Sequence, residues 1–250
     1  MTRHLAQHES EVPKMKTIGV VGGFGQWATL DILERIYRVA ADRIPQYGNR
    51  GYPKTIIHVL NRAPMVLNQD GSYPINLEPS PEFIHAVKDV SGCSDFFIIP
   101  SNTPHLFLKE IERVAGKKIL SIVDVTVEEV VRRGYKRIGL LAIGVTLDKR
   151  LYQDPLEAIG VQVISLPGEL VEALEKEGIY PLQEGLPVHE IKPVAQQAID
   201  YMRSQKVDGI ILGCTEIPVL LKDAADNPDI INPSQLLAEA TVKKSLCDVV

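Results

Sequence analysis

Two stretches of the chain set a small nucleophilic side chain at the end of an apolar run. Residues 95–108 read Asp-Phe-Phe-Ile-Ile-Pro-Ser-Asn-Thr-Pro-His-Leu-Phe-Leu, and residues 207–220 read Val-Asp-Gly-Ile-Ile-Leu-Gly-Cys-Thr-Glu-Ile-Pro-Val-Leu. Each reads as a buried strand, a breaker (Pro100, Gly213), a polar residue (Ser101, Cys214) and a helix start with a capping threonine (Thr103, Thr215). A thiol beside free helix-start N–H groups is expected to shift toward thiolate. If Ser101 and Cys214 face one cleft, a small carbon acid between them could lose a proton to one side and gain one from the other. The plainer readings are a buried inert cysteine and a serine that only satisfies backbone groups.

A third stretch is the glycine loop. Gly23-x-Gly25-x-x-Ala28 follows an apolar run and precedes a helical pattern, which matches a dinucleotide fingerprint. That fingerprint also requires a carboxylate for the ribose after the second strand, where this chain has Leu60-Asn61-Arg62. The loop therefore reads as a tight turn whose N–H groups face an anion such as a substrate carboxylate. The other candidates read plainly. His105 stabilises a helix start, and His58, His85 and His189 lack ligand spacing. Glu172, Glu175 and Glu177 form a solvated helix face, Arg62 is a loop arginine, and Cys93 and Cys247 are ordinary thiols.

The elements that must position these residues alternate. Expected strands are 17–21, 55–60, 96–99, 119–123, 137–142, 161–166, 210–212 and 230–231. Expected helices are 29–44, 83–90, 106–114, 125–133, 148–158, 168–177, 188–205, one after Cys214, and 234–246. The segment 61–81 is long enough for a binding loop, and 178–187 reads as a loop. Lys16-Thr17-Ile18-Gly19-Val20-Val21 is similar to Lys136-Arg137-Ile138-Gly139-Leu140-Leu141, at nearly the offset that separates Ser101 from Cys214. Lys118-Ile119-Leu120-Ser121 and Asp229-Ile230-Ile231-Asn232 form a weaker third pair. The expected fold is α/β, with two pseudo-symmetric doubly wound domains, parallel sheets and an interdomain active-site cleft. Residues 1–15, with His4 and His8, read as a disordered extension. The first domain is 16–122, the second 123–233, and the helix 234–246 is expected to pack back on the first.

At 250 residues, 45% apolar and 24% charged, the chain has ample core for this plan. A net charge of −5 gives no sign of nucleic-acid or anionic-membrane binding. No apolar run approaches the ~20 residues of a membrane span. Three widely spaced cysteines fit neither a disulfide framework nor a zinc pattern, so a cytoplasmic setting is the simplest.

Gly-Gly-Phe-Gly-Gln-Trp-Ala-Thr, Ser-Asn-Thr-Pro-His and Gly-Cys-Thr-Glu-Ile, in this order, resemble three signature stretches of the aspartate/glutamate racemase superfamily. Weaker echoes surround Thr146 and Asn232, and the resemblance covers about residues 16–246. It implies cofactor-independent, two-base proton transfer at the α-carbon of an acidic amino acid, in a homodimer. Neither a nicotinamide, flavin or pyridoxal cofactor nor a metal is then expected. By position, Cys214 matches one catalytic cysteine and Ser101 stands where the other would be. Asn102, Thr103 and Thr215 match residues that hold substrate carboxylates, with Thr146 a fourth. Gly25, Gln26 and Glu216 fall in the same substrate-binding stretches, Gln26 with Phe24 in place of the family's Pro and Met. The family's Pro-Asp-Arg-Thr stretch is absent from 61–70, where Arg62 is the possible substitute. Serine is a much weaker acid than a thiol of pKa ~8.5. One alternative is therefore a single-cysteine decarboxylase or isomerase of a small dicarboxylate. Others are a catalytically impaired small-acid-binding protein and, disfavoured by the missing ribose carboxylate, a nicotinamide-dependent oxidoreductase.

Overall fold

The computed structural model describes residues 13–48 and 50–246; His4, His8, Cys247 and most of the expected N-terminal extension lie outside the described residues. The first half runs β1 (Ile18–Gly22), α1 (Gln26–Arg43), β2 (Thr55–Val59), α2 (Pro81–Cys93) and β3 (Phe96–Ile98). A 3-10 turn (Thr103–Phe107), α3 (Leu108–Ala115) and α4 (Ile122–Arg133) follow. The second half runs β4 (Arg137–Leu141), α5 (Gly144–Asp148), α6 (Gln153–Ala158), β5 (Gln162–Ser165) and α7 (Gly168–Ala173). A π-helical turn (Leu174–Ile179), α8 (Tyr180–Gln183) and α9 (Val194–Ser204) lead to β6 (Gly209–Leu212). The chain ends with α10 (Ile217–Leu221), β7 (Ile230–Ile231) and α11 (Pro233–Leu246).

Both sheets are parallel, ordered β2-β1-β3 and β5-β4-β6-β7. Leu120 adds a parallel bridge beside Ile98, the place that β7 takes beside β6. The two halves thus share one strand order, which is the internal repeat of the sequence. β1, β3 and β6 are buried at every residue, as strands covered by helices on both faces must be. One core joins the sheets: Ile18, Val20 and Ile98 pack in the same cluster as Ile138, Leu140 and Ile211. The last helix, α11, packs against α1 and α4 and closes this core with Leu237 and Val242.

Four expectations change. The strand at 119–123 reduces to the Leu120 bridge because Ser121 caps α4 instead, its Oγ accepting from Asp124 N–H at 3.1 Å. The helix at 148–158 is split: α5 ends at Asp148, Arg150 turns to φ 53°, and α6 begins at Gln153. The long helix at 188–205 begins only at Val194, since Pro193 lacks an N–H and restrains Lys192. The expected loop at 178–187 is helical as far as Gln183. Pro181 interrupts the hydrogen-bond ladder there, and the widened π turn before it absorbs the missing donor.

Candidate active site

The carboxyl ends of β1, β3, β4 and β6 bring Gly23, Ser101, Gly144 and Cys214 to one cavity of about 380 Å³. Ligands of open α/β sheets bind at such strand ends. Of the residues singled out in the sequence, Gln26, Ser101, Asn102, Thr103, Thr146, Cys214, Thr215 and Glu216 line this cavity. Gly25 does not. It lies behind Glu216, so close that a methyl group on Gly25 would collide with Glu216 Oε1.

The Ser101 turn is held by a buried histidine. Ile122 N–H donates to His105 Nε2 at 3.3 Å, so Nδ1 carries the proton and donates to Ser101 O at 2.9 Å. Burial holds the imidazole down to about 4, well below its ordinary value, so it is neutral. The next residue ties the two turns together. Asn102 Nδ2 donates to Gly213 O at 2.9 Å, and the fully buried Tyr152 hydroxyl donates to Asn102 Oδ1 at 2.7 Å. Asn102, expected to hold a substrate carboxylate, thus has both ends of its amide engaged by protein. Thr103 Oγ1 and Thr146 Oγ1 meet at 3.4 Å and join the halves a second time.

The Cys214 turn departs from expectation. The following helix, α10, has only five residues, and its N-cap is Glu216, without a side-chain capping bond. The Thr215 hydroxyl instead donates to Glu216 Oε2 at 3.2 Å, the oxygen that also accepts from Cys214 Sγ at 3.3 Å. Gln183 Nε2 donates to Glu216 Oε1 at 3.4 Å. Burial first, then the Glu216 carboxyl, push the thiol well up, against a smaller pull from the Glu216 and Ile217 N–H groups. The expected low-pKa thiolate is therefore replaced by a neutral thiol at rest. Burial also raises Glu216, against the hydrogen bonds it accepts. The pair can hold one proton between sulfur and oxygen and pass it from one to the other.

The glycine loop is also partly occupied. Gly23 N–H donates to Thr29 Oγ1 at 2.9 Å, so this donor is not free for an anion. Gly23 takes φ 86°, the left-handed backbone that favours glycine. Among the described residues no three His, Cys, Asp or Glu side chains group as a metal site, and no helix is long and apolar enough to cross a membrane.

Arg62, Tyr73, Glu175, Tyr180 and Gln183 also line the cavity. Glu175, expected on a solvated face, instead has its Oε1 accepting from Gly144 N–H at 2.9 Å. The run of acidic residues around it concealed this role. Only a tertiary contact marks Tyr152, whereas Tyr73 lies in the long segment whose length alone suggested a binding loop.

A family model described as Asp/Glu/hydantoin racemase matches residues 21–241. The broad specificity amino-acid racemase RacX of Bacillus subtilis (strain 168) is 24% identical over 237 residues, covering 92% of this chain and 98% of that protein. The glutamate racemase of Aquifex aeolicus is 28% identical over 151 residues, 58% of this chain and 57% of that one. Among solved structures, Picrophilus torridus aspartate racemase shares the fold with a TM-score of 0.76 at 22% identity, covering 92% of this chain and 94% of that one. An aspartate racemase homologue from Pyrococcus horikoshii gives a TM-score of 0.69 at 23% identity, with 92% and 99% covered. With its family match extending across both sheets and both strand-end turns, the chain belongs to the Asp/Glu/hydantoin racemase family.

Proposed function

We propose that the protein racemises an amino acid without a cofactor, by proton transfer at the α-carbon between Cys214 and Ser101. The observation that carries this reading is that the two strand-end turns, from different sheets, line one cavity and are locked to each other by the Asn102–Gly213 bond. The family membership and the amino-acid racemases among the relatives support it.

Cys214 is the main acid/base. Its thiol proton moves to Glu216 Oε2, and the thiolate then takes the α-proton of the substrate; reversal returns a proton to the carbanion. Holding the spare proton on a neighbouring carboxylate avoids leaving a buried thiolate beside a buried carboxylate. Among the described residues Ser101 has no such partner side chain: its carbonyl, not its hydroxyl, binds His105. Each pK unit by which a base falls short costs about 1.4 kcal/mol when its deprotonated form is required. Proton transfer on the Cys214 face is therefore fast, and full inversion is slow. The resting neutral thiol also favours a second reading, a decarboxylation or isomerisation in which Cys214 alone protonates one face.

The test is incubation of L- and D-amino acids and substituted malonates in deuterated water, followed by NMR and chiral chromatography. The expected result is α-deuteration of one enantiomer ahead of inversion, abolished in Cys214→Ser. Ser101→Cys should speed inversion in both directions. Equal, fast inversion of both enantiomers by the unaltered protein would overturn the assigned asymmetry. Loss of carbon dioxide from a malonate without amino-acid exchange would select the second reading.

A further inference from the structure

We propose that Glu175, with Tyr73 and Tyr180, forms a cation-recognising end of the cavity, so that the protein takes an amino acid with a cationic side chain. This assignment of substrate class rests on the racemase reading above and departs from the acidic substrate that the sequence resemblance implies.

Two backbone donors in the turns beyond β1 and β4 are satisfied in different ways. β1 and β4 occupy the same place in their sheets, and the turn after each holds a glycine whose N–H is satisfied from within the protein, Gly23 directly after β1 and Gly144 in the turn that follows Leu141. In the first half Gly23 N–H meets a neutral hydroxyl, Thr29 Oγ1. In the second half Gly144 N–H meets a carboxylate, Glu175 Oε1. A hydroxyl would serve the amide equally well, so the charge of Glu175 is surplus to that bond. Glu175 Oε2 has no hydrogen-bond or ion-pair partner among the described residues. The nearby lysines are committed elsewhere: Lys176 Nζ to Glu172 Oε1 at 2.6 Å, Lys192 Nζ to Glu177 Oε2 at 2.9 Å, and Lys149 Nζ to Ile75 O at 3.2 Å.

Two aromatic rings accompany this carboxylate. Tyr180 follows directly from the π turn that carries Glu175, and Tyr73 comes from the long segment between β2 and α2. Burial, and then neighbours that include Glu175, push both phenols up. A partly buried carboxylate that shares its cavity wall with two phenol rings attracts an ammonium or guanidinium group through charge and ring quadrupole together. It repels a second carboxylate.

Arg62, which lies beyond the end of β2 in the other half, is the guanidinium in the same lining. A dicarboxylic amino acid would bring two carboxylates to a wall with one guanidinium and would set one of them near Glu175. A basic amino acid instead divides its charges as the wall does, its α-carboxylate toward Arg62 and the threonines and its terminal cation toward Glu175.

The experiment is calorimetric titration of the full chain with L-lysine, L-arginine, L-aspartate and L-glutamate, paired with α-proton exchange of the same four in deuterated water. Basic amino acids should bind about tenfold tighter than acidic ones, and Glu175→Gln should erase about that factor. Glutamine keeps an acceptor for Gly144 N–H, so an unchanged melting temperature would show that the variant is folded. Tyr180→Leu, at an exposed position, should weaken the basic ligands by a smaller factor and leave the acidic ones unaltered. Tighter binding of aspartate or glutamate, binding of none of the four, or a basic preference that survives Glu175→Gln overturns the proposal. Binding of lysine or arginine without exchange would leave this subsite standing and remove the racemase reading instead.

Discussion

Replacing Tyr152 by phenylalanine tests how the Ser101 and Cys214 turns are kept in register. The ring is fully buried, so phenylalanine retains its packing and the change is confined to one hydroxyl. That hydroxyl donates to Asn102 Oδ1 at 2.7 Å, and Asn102 is itself only 4% exposed. Its loss leaves a buried amide oxygen without a partner, which costs about 1–3 kcal/mol. In a chain of this size that lowers the melting temperature by roughly 2–4 °C per kcal/mol. The released amide is free to rotate, which weakens the Asn102–Gly213 bond between the turns. A displacement of about 1 Å between reacting groups lowers rate by roughly a hundredfold. Circular dichroism melts and α-deuteration by NMR read the two effects separately. A turnover number that falls further than KM rises is the signature of misplaced turns; a purely structural tyrosine would lower stability alone. Unchanged melting and unchanged exchange together would refute the role assigned to the Tyr152–Asn102–Gly213 bridge.

Three further perturbations follow from the geometry. Buried His105 has its folded pKa depressed from 6.5 to about 4, so its contribution is present above the unfolded value and is lost as pH falls through the folded one. Between pH 6.5 and 4 this residue should remove roughly 3 kcal/mol of stability, seen as a falling urea midpoint whose slope flattens in His105→Asn; equal slopes would contradict it. Gly25→Ala has an ordinary extended backbone, φ −155°, so its effect is space alone: the new methyl should push Glu216 off Cys214 at a cost of about 1–3 kcal/mol. The freed thiol should then alkylate faster with iodoacetamide at pH 8, and an unaltered rate would show that Glu216 does not hold it. Glu216→Gln keeps the packing but removes the proton acceptor, so α-deuteration should fall by about two orders of magnitude or more while the fold is retained; full activity would exclude the Cys214–Glu216 relay.

What the sequence determined by itself is local. Apolar runs bounded by Gly or Pro specified β1, β3, β4 and β6, and the order breaker, polar residue, cap exposed both the repeat and the pair Ser101 and Cys214. Those features depend on neighbours a few residues away, so a linear reading reaches them. Where Pro193 cut a helix short or Ser121 replaced a strand by a cap, the local signal was present but was outweighed by the longer apolar pattern. Tertiary structure alone decided the chemistry of the site. The Cys214 position predicted a thiolate from its short-range helix start, yet burial and the folded-back Glu216 carboxyl reverse the sign. Asn102 reads as a substrate ligand until Tyr152, 50 residues away, and Gly213, 111 away, claim its amide. Glu175 reads as one acid in a solvated run until a π turn and Gly144, 31 residues away, set it in the cavity wall. Protonation and hydrogen-bond allegiance depend on desolvation and on distances between sheets, quantities that exist only once the two halves have closed on each other.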